Sequence, residues 1–203
     1  MDADRIKWNK RFESQDSFLG EHPSPFLARE IERIKSLVPG LNALDIACGE
    51  GRNSLFLARH GFKVTALDIS DIGLAKGRNR AQTEGVNVEF LRVDLDGHII
   101  KERYDLILNF NFLQRDLIPS EVASLNPGGL LLFDTIMASE LLLQTHDPAY
   151  LLQPGELHRI FAALGGNILY SEESCSCDMP TARLLFRKKR ATPFRPYPPA
   201  ATP

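Results

Sequence analysis

The carboxylate of Asp45 and two glycines lie where the chain passes from an apolar run to a helical pattern. The run over residues 41–46 predicts a buried strand, and residues 54–58 predict the helix that follows it. Gly49 and Gly51, between the two, let a ligand approach the backbone, and the N-terminus of the helix offers unpaired N–H groups. The sequence therefore predicts a ligand-binding turn.

A second carboxylate, Asp68, ends the next predicted strand, which covers Lys63–Asp68. This position after a glycine-rich turn is typical of a residue that binds a ribose diol. Asp45, at the mouth of the turn, would repel the pyrophosphate of NAD, whereas S-adenosylmethionine has no phosphate and carries a sulfonium and an ammonium group. Asp45 thus favours S-adenosylmethionine over NAD, although it could instead serve only to hydrogen-bond the turn backbone.

At this point the chain resembles the class I S-adenosylmethionine-dependent methyltransferases. Segments 44–58 and 61–70 look most like the tellurite-resistance and thiopurine-type small-molecule methyltransferases. The resemblance implies that Gly49 and Gly51 line the methionine end of the cofactor. It also implies that Asp68 holds the ribose hydroxyls.

The resemblance extends the expected cofactor site beyond these residues. Asp94 would face the adenine amino group. The complete set of expected cofactor residues is Asp45, Ala47, Cys48, Gly49, Gly51, Asn53, Asp68, Ile69, Asp94, Leu95 and Asn109. Ala47 departs from the family pattern, which has a glycine at that position, and Cys48 is expected mainly to pack.

The rest of the chain alternates predicted strands and helices. Further strands are expected over residues 88–95, 105–110, 129–134, 167–172 and 182–188. The last two are joined by a connection too short for a crossover helix, so they should form an antiparallel hairpin. With the resemblance, this predicts an α/β fold: a Rossmann-like three-layer sandwich with a seven-stranded, mostly parallel sheet.

The acceptor pocket is expected beside the cofactor, at the carboxyl ends of the first and fourth strands. The residues expected to form the pocket or its lid are Trp8, Phe12, Phe110, Asn111, Phe112 and Arg115. Trp8 and Phe12 are spaced for one helix face, which fits a lid or simple docking on the body equally well. Arg115 could pair with an anionic substrate or lie on the surface. No catalytic residue is predicted, because a soft nucleophile needs no general base.

Composition limits the partners. The 203 residues are 43% hydrophobic, which suits one enzyme-sized domain, and a net charge of −2 argues against a surface for nucleic acid or anionic lipid. The basic run at 187–190 is expected to be a solvated strand end. With no apolar segment of membrane-spanning length and a charged N-terminus, the protein is expected in the cytoplasm, without membrane partners.

The sequence thus predicts methyl transfer to a small-molecule sulfur, selenium or tellurium nucleophile. A non-catalytic S-adenosylmethionine-binding module and an NAD-dependent oxidoreductase remain alternatives, and the oligomeric state is open. The expected organisation is an N-terminal cap over 1–22, a methyltransferase domain over 23–190 and a proline-rich tail over 191–203. Cys175 and Cys177 could suggest a metal site, but no metal is expected because matching ligands are missing.

Overall fold

The computed structural model describes residues 2–14, 17–18, 20–174 and 179–190. Its strands are β1 (Asn42–Ile46), β2 (Lys63–Asp68), β3 (Val88–Arg92), β4 (Tyr104–Phe110), β5 (Leu125–Ile136), β6 (Gly166–Ser174) and β7 (Thr181–Lys188). Its helices are α1 (Asp2–Glu13), α2 (Pro25–Leu37), α3 (Arg52–Arg59), α4 (Asp71–Glu84), α5 (Ile118–Ser124), α6 (Glu140–Leu143) and α7 (Glu156–Ala162). Short 3-10 turns cover Arg115–Leu117 and Pro148–Tyr150.

The strands form one seven-stranded sheet in the order β3-β2-β1-β4-β5-β7-β6. All neighbours are parallel except at β7, which runs antiparallel to both β5 and β6. The predicted fold class and the terminal hairpin are therefore confirmed. Because β1 lies between β2 and β4, the carboxyl ends of these three strands meet at one edge, where ligands bind in open α/β sheets.

Alternation along β4 assigns its side chains to opposite faces of the sheet. Leu106 and Leu108 belong to the core under α2 and α3, together with Phe110. Ile107 belongs to the core under α5 and α7. Asn109 shares the face of Ile107, so it points away from Phe110 at the end of the same strand.

Two predicted strand boundaries are wrong. β3 ends at Arg92 and not at residue 95. β5 begins at Leu125 and not at residue 129. Residues 126–129 lie inside the strand as an irregularity, because β4 pairs Tyr104 with Leu125 and then Leu106 with Leu130. The Asp105 carboxylate fixes this irregularity by accepting from the side-chain amide of Asn126 at 2.8 Å.

The helix ends explain how α4 and α2 are placed. At the start of α4, the Ser70 hydroxyl accepts from the backbone N–H of Gly73 at 3.0 Å, and Gly85 ends the helix with φ 66°. Ser24 is the N-cap residue of α2, and its side chain makes no cap hydrogen bond. Its own N–H instead donates to the Asn53 side chain at 2.8 Å, which joins α2 to α3.

Some expectations fall on residues outside the described ranges, namely Cys175, Cys177 and the tail over 191–203. Within the described ranges, no helix has the length and apolar character needed to cross a bilayer. Nor do the described His, Cys, Asp and Glu residues form a group of three or more that could hold a metal ion.

Candidate cofactor site

The turn after β1 has an unusual backbone. Ala47, Gly49 and Gly51 all have positive φ, at 51°, 58° and 73°. The left-handed region is easy for glycine and costs an L-residue about 1–2 kcal/mol, so Ala47 is strained. The departure of Ala47 from the family pattern therefore has a conformational cost that its small side chain does not reveal.

Asp68 ties this turn to β2. Its carboxylate is 6% exposed, and it accepts hydrogen bonds from the N–H of Gly49 at 2.7 Å and of Ser70 at 2.8 Å. Burial raises the pKa of Asp68, and the backbone donors oppose that rise. The backbone N–H of Ile69 is a third donor to this carboxylate.

Asp45 lies beneath the turn on the side of α3. It is 2% exposed and accepts from the Ser54 hydroxyl at 2.5 Å. Burial raises the pKa of Asp45 to about 7, with the Ser54 hydrogen bond opposing and the charge of Asp68 adding to the rise. Near neutral pH Asp45 is thus partly protonated, which weakens the charge-repulsion argument against NAD.

The two turn glycines accommodate aromatic rings of this chain. A Cβ at Gly51 would lie 2.7 Å from the Phe90 ring, and one at Gly77 in α4 would lie equally close to it. A Cβ at Gly49 would lie 3.0 Å from Cζ of Phe12. Phe90 and Phe12 therefore lie on the side of these glycines where a side chain would project, and the expectation that both glycines let a ligand approach the backbone stays a prediction.

Helix α1 covers the turn from the N-terminal side. Phe12 is 3% exposed, and its ring lies 6.0 Å from Trp8 and 5.8 Å from Phe18 between centroids. Asn9 anchors the helix to the start of α4 by accepting from the Ser70 hydroxyl at 2.7 Å. We call α1 together with Ser17 and Phe18 the N-terminal cap. It docks on α4 and lies over Gly49, which agrees with the docking interpretation of the aromatic pair, and its role as a lid over a bound cofactor stays a prediction.

A buried polar pair lies at the end of β4, on the face opposite to Asp45. Asn109 is fully buried, and its amide donates to Oε1 of Glu121 in α5 at 2.7 Å. Within the described part of the chain, Asn109 Oδ1 and Glu121 Oε2 have no hydrogen-bond partner. Burial raises the pKa of Glu121 to about 7. Sequence reasoning missed Glu121, since nothing local marks it as a partner of Asn109.

The other expected pocket residues are spread apart. Phe110 is buried against Phe26, with ring centroids 6.4 Å apart, and Phe112 packs on the opposite core. Asn111 is exposed, with φ 55°. The structure therefore does not bring residues 109–112 together as one wall.

Arg115 is fully engaged within the chain. Its guanidinium pairs with both carboxylate oxygens of Glu156, at 2.6 and 3.0 Å, and donates to the carbonyls of Ala149 and Leu151. The hydrogen bond from Arg115 lowers the pKa of Glu156. This geometry favours a structural role, in which Arg115 holds residues 149–151 to α7, over contact with a substrate.

The remaining expected cofactor residues surround the turn in different environments. Asp94 is exposed just beyond β3 and accepts from the N–H of Asp96 at 3.1 Å, Leu95 is buried, and Ile69 is half-buried. Cys48 is half-buried with its thiol pKa raised well above the usual value by burial, which suits the packing role.

Two charged residues near the turn were not predicted. Arg52, half-buried at the start of α3, interacts electrostatically with Asp45 and Asp134, and burial lowers its pKa. Asp134 ends the part of β5 that pairs with β4, accepts from Arg183 at 3.1 Å and has its pKa raised to about 6 by burial. Arg52 lies within segment 44–58, which carries the family resemblance, so its position in the sequence could have suggested a role in the site.

Comparison with known proteins places the chain. The family model described as tellurite resistance protein TehB matches residues 23–176. The probable S-adenosyl-L-methionine-dependent methyltransferase TehB of Haemophilus influenzae is 27% identical over 133 residues, covering 62% of this chain and 46% of that protein. The ubiquinone biosynthesis O-methyltransferase of Shewanella pealeana is 29% identical over 157 residues, covering 66% of each. This chain thus spans about half to two thirds of the length of these relatives.

Solved structures share the fold. TehB from Haemophilus influenzae matches with a TM-score of 0.66 at 24% identity, over 80% of this chain and 62% of that one. Magnesium protoporphyrin IX methyltransferase from Synechocystis, solved with bound S-adenosylmethionine, matches with a TM-score of 0.66 at 19% identity over 92% and 96%. The [4+2]-cyclase SpnF matches with a TM-score of 0.67 at 20% identity over 81% and 80%. One fold therefore serves more than one chemistry.

Proposed function

Since the chain belongs to the TehB family of class I S-adenosylmethionine-dependent methyltransferases, we propose that it transfers a methyl group to a small-molecule acceptor. The proposed acceptor atom is a sulfur, selenium or tellurium nucleophile. The observation that carries the proposal is the left-handed turn after β1, tied through Gly49 to the buried carboxylate of Asp68 and covered by the N-terminal cap.

The residues around the turn fit the cofactor. Asp68 ends β2 beside the turn, the position from which a carboxylate binds the two hydroxyls of a ribose. Asn109 Oδ1, buried at the end of the neighbouring strand, lacks a donor among the described residues, which a ligand N–H would satisfy. We assign the cofactor to the turn and Asp68, with Asp94 and Asn109 at its flanks.

The chain itself contributes positioning and exclusion of water. When bound, the cofactor supplies a methyl group on a positively charged sulfur. The chain must bring the acceptor atom to roughly 3–3.5 Å from that carbon and keep the site dry. The segment over residues 1–22 contains the N-terminal cap with Trp8 and Phe12. We propose that this segment keeps water out of the site in the domain over 23–190.

An oxygen acceptor is the second candidate. Relatives at 29% identity are named ubiquinone biosynthesis O-methyltransferases. Methylation of a phenol needs a base, and Asp134, at the carboxyl end of β5 with its pKa raised to about 6, is a carboxylate that could accept the proton.

The test begins with binding. Isothermal titration of the full chain with S-adenosylhomocysteine and, separately, with NADH should give heat only with the first. Methyl transfer is then measured against small thiols, selenite, tellurite, phenols and carboxylates, beside bulk RNA, DNA and protein. Transfer to thiols or chalcogen anions would support the proposal, and a preference for phenols would support the second candidate. Labelling of a macromolecule alone would overturn both.

A further inference from the structure

Glu50, the residue between the two turn glycines, is a buried charge whose contacts all lead away from the turn. Its side chain is 6% exposed. Oε2 accepts from the backbone N–H of Phe18 at 3.0 Å and from the Ser17 hydroxyl at 3.3 Å. Oε1 forms an ion pair with the ammonium of Lys76 in α4 at 3.2 Å and accepts no hydrogen bond within the described part of the chain. Burying a carboxylate is costly unless such partners compensate, so these contacts are what keep Glu50 in place.

Lys76 extends the connection to a second point of the N-terminal cap. Its ammonium donates to the backbone carbonyl of Phe12 at 2.5 Å. Glu50 and Lys76 therefore hold the cap at two points, at the end of α1 and at Ser17 and Phe18. The ring of Phe12 is held between these points against Gly49.

We infer that Glu50 is a positioning residue that couples the cofactor turn to closure of the N-terminal cap, with Lys76 as its partner. The inference rests on the proposed function, because the turn is where the cofactor is assigned. Since Glu50 belongs to the turn backbone, a ligand that orders the turn also orders the carboxylate that holds the cap. By thermodynamic reciprocity, a closed cap then raises the affinity of the turn for the ligand.

The first experiment measures the cap without ligand, by limited trypsin digestion of the full chain. The cap offers Arg5, Lys7, Lys10 and Arg11 as cleavage sites. The matched control is Glu30→Ala, which removes a carboxylate that is 7% exposed and paired with Arg29 and Arg33 on α2. Glu50→Ala should raise the rate of cleavage in the cap by about fivefold or more, and the control by less than about twofold.

A second variant protects this test against loss of folding. Lys76→Met removes the same ion pair from the other side and should also open the cap, while circular dichroism and the thermal transition report whether each variant folds. Cap cleavage at the wild-type rate in folded Glu50→Ala would overturn the inference.

The second experiment measures the coupling with S-adenosylhomocysteine. In the wild type, ligand should slow cap cleavage and change the fluorescence of Trp8, the single tryptophan. Glu50→Ala should weaken binding by about fivefold and abolish that protection. The double variant Glu50→Ala/Phe12→Ala should bind S-adenosylhomocysteine no more than about twofold less tightly than the single variant with the lower affinity, because both substitutions act through the cap.

The outcomes separate the two claims. Unchanged affinity in Glu50→Ala, or fully additive losses with Phe12→Ala, would overturn the coupling while leaving the proposed function intact. A wild-type chain that binds no S-adenosylhomocysteine would overturn the proposed function and the coupling together. The ligand-free digestion would then still decide whether Glu50 holds the cap.

Discussion

Asp68 has two tasks that a single substitution removes together. It holds the turn through Gly49 and Ser70, and it is the proposed ribose ligand. Because a residue that shapes a site can also bind in it, affinity and stability must be measured on the same variant. Binding alone would not distinguish a lost contact from a displaced turn.

Asp68→Ala should weaken S-adenosylhomocysteine binding by about 1.5–3 kcal/mol, the range for hydrogen bonds to a charged group. It should also lower the free energy of unfolding by about 1–3 kcal/mol, because two buried N–H groups lose their acceptor. Titration calorimetry and urea denaturation measure the two effects. Asp96→Ala, an exposed neighbour, is the control. Wild-type affinity in a folded Asp68→Ala chain would remove Asp68 from the site.

Ala47→Gly should stabilise the fold. Relief of the left-handed strain at φ 51° should gain about 1–2 kcal/mol, offset by about 0.4–1 kcal/mol of added freedom in the unfolded chain. We therefore expect a net gain of about 0.5–1 kcal/mol in urea denaturation. Ala58→Gly inside α3 should instead lose about 1 kcal/mol. A loss at both positions would show that the backbone at Ala47 is unstrained.

For single residues, the sequence predicts a role where the neighbouring residues in the chain indicate it. Asp68 and the glycines are predicted by their place at strand ends, and their positions agree with that prediction. The partnership of Asn109 with Glu121 depends on how α5 returns to the sheet, and that of Gly51 with Phe90 depends on β3. No local pattern encodes either contact, because each joins residues distant in the chain.

Among the elements, α4 approaches the turn after β1 more closely than a helix with side chains at positions 73 and 77 could. Gly73 lies against the backbone of Gly49, and Gly77 lies against Phe90 and the carbonyl of Glu50. Two glycines in one helix lower its intrinsic propensity. Because these glycines lack side chains, α4 can lie close to the turn. The close packing comes with a lower intrinsic helix propensity of α4.

Gly77→Ala should therefore reverse the usual sign of a glycine-to-alanine change. In an open helix it would stabilise by about 1 kcal/mol. Here the new methyl group would lie 2.7 Å from the Phe90 ring, so a loss of about 1–3 kcal/mol is expected from overpacking. Phe90→Leu should recover part of that loss in the double variant. Stabilisation by Gly77→Ala alone would contradict the packing described for α4.

Element identities followed from periodicity better than element ends did. The bounds of β2 agree with the prediction because a carboxylate marks where that strand ends. The long β5 was truncated in prediction because Asn126, Pro127 and two glycines are turn residues. The irregularity opposite Asp105 accommodates them within the strand, which is a tertiary effect.

For the whole molecule, buried acids predict how stability depends on pH. Burial raises the pKa of Glu121 from 4.5 to about 7, that of Asp45 to about 7 and that of Asp134 to about 6. An acid with a raised pKa binds its proton more tightly in the folded state. Its contribution is therefore complete below the unfolded pKa and is lost as pH rises through the folded pKa.

Thermal stability should accordingly fall as pH is raised from about 5 to about 8. Glu121→Gln should flatten this profile, because it removes a group whose shift corresponds to on the order of 3 kcal/mol. The measurement is the unfolding midpoint between pH 5 and 8, with exposed Glu89→Gln as control. A Glu121→Gln profile parallel to that of the wild type would show that Glu121 does not titrate in this range.

The strand order also constrains how the chain is made. β7 is the last strand along the described part of the chain, yet it lies between β5 and β6. Until residue 188 has been synthesised, a nascent chain with β1 to β6 exposes the hydrogen-bonding edges of both β5 and β6, and open edges are sites of aggregation. The sheet is therefore completed by insertion of β7 between β5 and β6. If synthesis stops before β7, the gap between β5 and β6 can accept a strand from another chain.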